Sequence, residues 1–154
     1  MKWVLVWLVA MTLIAFKVNA QEGYNYLDIA GGYLVKDTYG IELSLEFGKR
    51  YHNQLELLFD YAHNTHSERN NYMLGLAYKP LITRKRNTVL NLRVSAALGT
   101  NEYDFIAGIS TGLELNFAFS NGWIFFLRPK GDLVLWDKDH WRIGMLAGVK
   151  FPIN

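Results

Sequence analysis

The chain has no cysteine. No disulfide can staple it, so its stability must come from a core, a metal or a surrounding bilayer. Beyond position 20 it also lacks any apolar run long enough to cross a membrane as a helix, which takes roughly 18–20 residues. It has no charge excess either. Lys2 and Lys17 are the only charged residues of the first twenty, and the remainder balances 14 basic against 14 acidic residues. A general nucleic-acid surface needs a basic surplus, so direct nucleic-acid binding is not expected. No internal repeat and no domain boundary is visible, and about 134 residues after position 20 suit a single domain.

Residues 1–20 read as an export signal: Met1-Lys2 as a short positive start, an apolar stretch over 3–16, and Val18-Asn19-Ala20 as a small-residue cleavage site. The apolar stretch is short for a membrane anchor, and Lys17 interrupts it. No cysteine follows the site to take a lipid. Export, and then 21–154 as one unit, is the expectation.

What the chain does have is a period of two. Over 39–49, Tyr39, Ile41, Leu43, Leu45 and Phe47 fall on one face, with Gly40, Glu42, Ser44, Glu46 and Gly48 on the other. That is a strand whose two sides meet different surroundings. The same alternation predicts eight strands, over 24–35, 39–49, 54–63, 71–79, 88–99, 105–119, 123–136 and 140–151. A tilted strand crosses a bilayer in roughly 9–11 residues, and an even number of antiparallel strands closes without an open edge in lipid. Ser120-Asn121-Gly122 is a strong hairpin signal, because Asn-Gly accepts positive φ. Residues 64–70 and 80–87 read as connections, and Pro129 predicts a bulge or a position beyond the hydrocarbon, since it cannot donate to a ladder.

Parity sorts the charges to the inner face. Asp28, Glu42, Glu46, Glu56, Asp60 and Glu114 come mostly from early strands; Lys79, Arg93, Arg128, Lys130, Arg142 and Lys150 from later ones. Closure would set acids against bases across a lumen that, with eight strands, is just wide enough for side chains to fill. A packed polar interior follows, not a diffusion pore. A soluble carrier barrel would invert this sidedness, with an apolar cavity inside. Tyr39, Phe47, Tyr61, Tyr72, Tyr78, Trp123 and Trp141 sit near strand ends, where interfacial aromatic girdles belong. The expected fold is all-β, an eight-stranded antiparallel transmembrane β-barrel of the bacterial outer membrane, in contact with its lipid and lipopolysaccharide.

Chemistry is sparse. His63, His66, Ser67 and Glu68 share one loop, but neighbouring loop side chains diverge and no oxyanion donor can be named. Outer-membrane lipid deacylases carry a His-any-Ser-Asn motif that His66-Ser67-Glu68-Arg69 does not match. His52, His63, His66 and His140 offer one pair three residues apart, a poor metal site. The glycines show no phosphate-cradling spacing. No catalytic residue, cofactor or metal is therefore assigned. Arg84-Lys85-Arg86 is the one basic run, and a possible docking turn for lipid phosphates, an anionic polymer or a partner protein.

Four segments carry a resemblance: Phe105-Ile106-Ala107-Gly108, Leu113-Glu114-Leu115-Asn116-Phe117, Val134-Leu135-Trp136 and Ala147-Gly148-Val149-Lys150-Phe151. With Gly31-Gly32-Tyr33 and Tyr39-Gly40, they resemble the TraO family of conjugal transfer proteins, found on conjugative transposons of Bacteroides-type bacteria. The resemblance implies a non-enzymatic outer-membrane component of a DNA-transfer apparatus, with other conjugation proteins as partners and no catalytic residues to carry over. A general envelope-stability or adhesion barrel and a lipid deacylase are the competing classes. With the amino terminus in the periplasm, the 80–87 connection would face the periplasm and the 64–70 loop the outside.

Overall fold

The alternation folds as strands throughout. The computed structural model describes residues 25–48, 53–137 and 140–153; the export segment, most of the 50–53 turn and residues 138–139 lie outside them. The strands are β1 (Asn25–Leu34), β2 (Thr38–Gly48), β3 (Gln54–Asn64), β4 (Arg69–Lys79), β5 (Leu81–Lys85), β6 (Thr88–Thr100), β7 (Phe105–Ala118), β8 (Ile124–Leu135) and β9 (Trp141–Ile153). Neighbours in the chain pair antiparallel from β1 to β4 and from β6 to β9; β9 returns to β1, and β4 pairs with β6. The ring is a closed eight-stranded antiparallel barrel in which β4 and β5 together supply one wall position.

Tight connections set the register. Lys36 and Asp37 take φ of 66° and 54°, left-handed positions that close the three-residue loop, 35–37, between Leu34 and its partner Thr38. Gly122, at φ 85°, carries the positive φ expected of the Asn-Gly turn. Asn64 ends β3 by accepting from the backbone N–H groups of His66 (3.0 Å) and Ser67 (2.8 Å) while its amide reaches Lys36 O (2.8 Å). This capping lets β4 begin at Arg69, two residues earlier than the sequence predicts, and shortens the loop to four residues.

Two expectations need correction. Residues 80–87 are a hairpin and not an irregular connection. Pro80 ends the β4 ladder, yet Leu81 to Lys85 pair again with Asn91 to Thr88, with a bulge between Leu81 and Thr83. Proline marks a break in hydrogen bonding, but β-branched Ile82 and Thr83 resume the strand beyond it. Pro129, for its part, sits inside β8 without a bulge. The register is unbroken on both sides of it, and it lies opposite Met145 of β9. What the missing N–H removes is local: the β7–β8 ladder skips Leu113 and Glu114.

The faces separate as alternation requires. Leu76 (62% exposed), Leu98 (58%) and Ile143 (62%) stand outward, whereas Glu42, Glu56, Arg93 and Arg128 are at most 2% exposed. Aromatics gather in two bands. Tyr33–Tyr39, Tyr61–Tyr72 and Phe105–Trp136 pair at one end with centroids 5.5, 5.2 and 6.2 Å apart; Phe117–Phe125 and Trp123–Phe151 pair at the other, 6.3 and 4.8 Å apart. An apolar belt between two aromatic girdles, around a charged interior, is the sidedness of a barrel whose outside solvent is hydrocarbon.

The inner face is less uniformly polar than the sequence predicts. Phe126, Leu146 and Ala30 form one buried cluster, and Met73, Ile106 and Val134 another. Leu34 and Leu58 are buried as well. These side chains stand among the charges and not apart from them: Ala30 lies opposite Glu42, Leu146 opposite Arg128 and Met73 opposite Asp60, so the interior mixes small apolar clusters with ion pairs.

Candidate functional site

Every ring strand sends at least one charged side chain into the lumen. Asp28 comes from β1, Glu42 and Glu46 from β2, Glu56 and Asp60 from β3, Lys79 from β4, Arg93 from β6, Glu114 from β7, Arg128 and Lys130 from β8, and Lys150 from β9. All are buried.

The β2–β3 ladder creates the problem that the cations solve. Glu46 lies directly opposite Glu56, and Glu42 opposite Asp60. Like charges in register repel, and burial strengthens the repulsion. Lys79 Nζ bridges the first pair, 2.5 Å from Glu46 Oε2 and 2.6 Å from Glu56 Oε2, and reaches Glu114 Oε2 at 3.1 Å. Lys130 Nζ bridges the second, 2.8 Å from Asp60 Oδ2 and 3.7 Å from Glu42 Oε2. Arg93 grips Glu56 with two parallel bonds, Nε to Oε2 at 3.2 Å and Nη2 to Oε1 at 2.9 Å, the fork geometry that makes guanidinium–carboxylate pairs strong. It also reaches Glu42 Oε1 at 3.0 Å.

Arg128 joins Glu42 to Glu114, and Lys150 joins Glu46 (2.5 Å) to Glu114 (2.6 Å). Phe126 lies under both cations, its ring centre 4.6 Å from the Arg128 guanidinium carbon and 5.3 Å from Lys150 Nζ. An aromatic face in this place adds electrostatic attraction and excludes water. Some pairs cross the lumen, as Arg128–Glu42 and Lys150–Glu46 do, and others, such as Lys79–Glu56 and Arg128–Glu114, join neighbouring strands.

Arg142 belongs to a separate group at the barrel mouth near the 64–70 turn. It bonds Asp137, which also accepts from Asn71 Nδ2 at 2.8 Å and lies 3.9 Å from Arg69. Two further buried acids, Asp132 and Asp137, belong to the interior. Alternation sets Asp132 on the face of Arg128 and Lys130, and it lies 3.1 Å from Lys130. Alternation does not place Asp137 there: Trp136 adopts φ 63°, which turns Trp136 outward and Asp137 inward against the period of two.

The remaining candidates stay apart. His63 Nδ1 is 2.8 Å from Asn70 Oδ1, and Ser67 is held through its backbone N–H at an exposed turn, so neither is directed at the other. Asp28, Glu46 and Glu56 bring carboxylate oxygens within 4.8 Å of one another, spacing that a metal ion could use. The Lys79 ammonium lies within 3.6 Å of all three and fills that role. Arg84 and Lys85 lie on β5, and of the basic run Arg86 alone occupies the turn, at φ 41°. All three are exposed at the end of a hairpin that extends the wall past the closed ring.

Filled from all sides, the lumen leaves cavities of about 20 and 10 Å³. Pocket-sized ligands need some hundreds of cubic ångströms. The fold and this interior define a transmembrane β-barrel with a plugged lumen. Solved structures agree on the architecture. The chain is similar to a de novo designed transmembrane β-barrel (TM-score 0.57, 12% identity, covering 86% of this chain and 98% of that one). It is similar to Neisserial surface protein A, NspA (0.54, 14%, 86% and 100%), and to the Yersinia pestis outer membrane protein Ail (0.51, 12%, 84% and 100%). Likeness at these identities concerns the fold. No protein-family model and no curated protein sequence matches the chain.

Proposed function

We propose that the protein is a non-enzymatic structural accessory of a conjugative DNA-transfer apparatus in the outer membrane, acting through its turns and not its lumen. One observation carries the structural half of this reading: charged side chains from all eight ring strands occupy the interior and, among the described residues, leave cavities of about 20 and 10 Å³, far below the size of a substrate pocket. What remains for partners is the rims. The β5–β6 hairpin is the most distinctive of these, with Arg84, Lys85 and Arg86 at its end and no acidic residue over 80–91. The conjugative half is supported by the four carboxy-terminal segments that resemble the TraO family. No direct contact with DNA is part of this reading.

Deletion in a donor cell, with mating frequency and envelope sensitivity scored separately, tests it. Reduced mating with an intact envelope is expected, as is the same defect from the triple change Arg84→Gln, Lys85→Gln, Arg86→Gln. Normal mating with a leaky envelope would transfer the protein to the class of envelope-stability barrels. A deacylation activity abolished by Ser67→Ala would make it an enzyme.

A further inference from the structure

The cavity of about 20 Å³ lies against the wall formed by β6, β7 and β8, with Glu42, Asp60, Ser110, Lys130 and Asp132 among its lining residues. One water needs roughly 10–15 Å³ of such space and two to four polar partners. Three lining residues each bring a buried polar atom that has no hydrogen-bond partner: Glu42 Oε2, Ser110 Oγ and Asp132 Oδ1. Their neighbours are already engaged. Glu42 Oε1 accepts from Arg93 and Arg128, and Asp132 Oδ2 lies 3.1 Å from Lys130 Nζ. Ser110 and Asp132 stand directly opposite each other in the β7–β8 ladder, so two of the three atoms belong to adjacent wall positions.

We propose that this cavity is a built hydration site, in which one internal water donates to Glu42 Oε2 and Asp132 Oδ1 and accepts from the Ser110 hydroxyl. Water fits the chemistry because both carboxylate oxygens need a donor and the hydroxyl can supply one in return. A metal cation fits it poorly. The guanidinium of Arg93 and the ammonium of Lys130 line the same space and would repel it. The water extends an ion-pair network that direct contacts leave incomplete, and it sits at the border between the Lys130 ion pairs and the apolar cluster of Met73 and Val134.

The test is water-to-amide cross-relaxation on the ¹⁵N-labelled barrel in detergent micelles. Cross-peaks from a long-lived water are expected at the amides of Ser110 and Asp132 in the unaltered protein, and their absence there overturns the proposal. Ser110→Ala keeps the space and both carboxylates, so the cross-peaks persist. Ser110→Val fills the space and abolishes them. Loss in both variants would mean that the signal was relayed by the serine hydroxyl, and would also overturn the site. Thermal stability is compared in sodium, potassium and choline chloride at equal ionic strength. A sodium- or potassium-specific gain that Ser110→Val removes would replace water with a cation.

Discussion

Lys79→Met deletes one ammonium and keeps most of the side chain's volume, so its effect isolates charge from packing. Lys79 is fully buried and stands between Glu46, Glu56 and Glu114, with Asp28 3.6 Å away. Around it, five acids (Asp28, Glu42, Glu46, Glu56 and Glu114) face four bases (Lys79, Arg93, Arg128 and Lys150), and the change leaves three bases. Removing one partner of a buried ion pair costs about 3–5 kcal/mol, chiefly because charge stays behind uncompensated. Here each carboxylate keeps a second partner: Lys150 for Glu46, Arg93 for Glu56, Arg128 and Lys150 for Glu114. The expected cost is therefore at the lower end, about 3 kcal/mol, or roughly a hundredfold in the folded-to-unfolded ratio. Reversible urea unfolding in lipid vesicles, followed by fluorescence of Trp123, Trp136 and Trp141, measures it. The double variant Lys79→Met, Glu56→Gln removes one of the excess negative charges while Arg93 keeps Glu42, and should recover at least about 1 kcal/mol. A loss under about 1 kcal/mol for the single variant, or strict additivity in the double one, would refute the account of Lys79 as the bridge of the β2–β3 acids.

The lumen should carry no sustained current in planar bilayers, because the gaps within it are of water size; a stable open conductance would contradict the plugged interior. Leu43 lies midway between Tyr39 and Phe47 on the outward face of β2 and is 43% exposed. Leu43→Arg should cost about 2–4 kcal/mol in bilayer unfolding, the range for a cation at the hydrocarbon midplane, and near zero would dispute the outward face as lipid-facing. Gly99 packs so tightly on β4 that an added Cβ would lie 1.8 Å from the Tyr72 carbonyl oxygen, a backbone atom that cannot step aside. Gly99→Val should block closure at the β4–β6 seam, seen as loss of the heat-modifiable folded band on gels, whereas a normal band would show the seam to be loose.

Alternation made most of this architecture readable. Once a strand is half in lipid, parity assigns each side chain, and Glu42, Arg93 and Arg128 follow from position alone. The logic fails where the backbone departs from extended geometry. Trp136 at positive φ exchanges inside for outside, so Asp137 escaped parity. Pro80 and Pro129 both look like interruptions in the sequence, but a missing N–H removes one donor and leaves strand direction free. Neighbouring strands carried the wall past each of them. The lumen's apolar clusters are hidden for another reason. Leu34, Phe126 and Leu146 have the parity of interior residues, but a hydrophobic side chain on the polar face looks like noise until the opposite wall is known. Which cation serves which acid was also out of reach, since partners such as Lys150 and Glu46 stand 104 residues apart.

The acids opposed in register on β2 and β3 bear on how such a cylinder can be built. A hairpin made of those two strands sets like charges against each other, and no lysine or arginine lies among the described residues of either strand. Relief arrives with Lys79 from the following strand and with Arg93, Arg128, Lys130 and Lys150 from the far half of the chain. A half-built wall is thus worse than none, and a seam slipped by one residue would turn the same carboxylates towards hydrocarbon. Self-repulsion in the first half makes correct closure the one arrangement in which those acids find rest, so that proofreading is written into the wall itself.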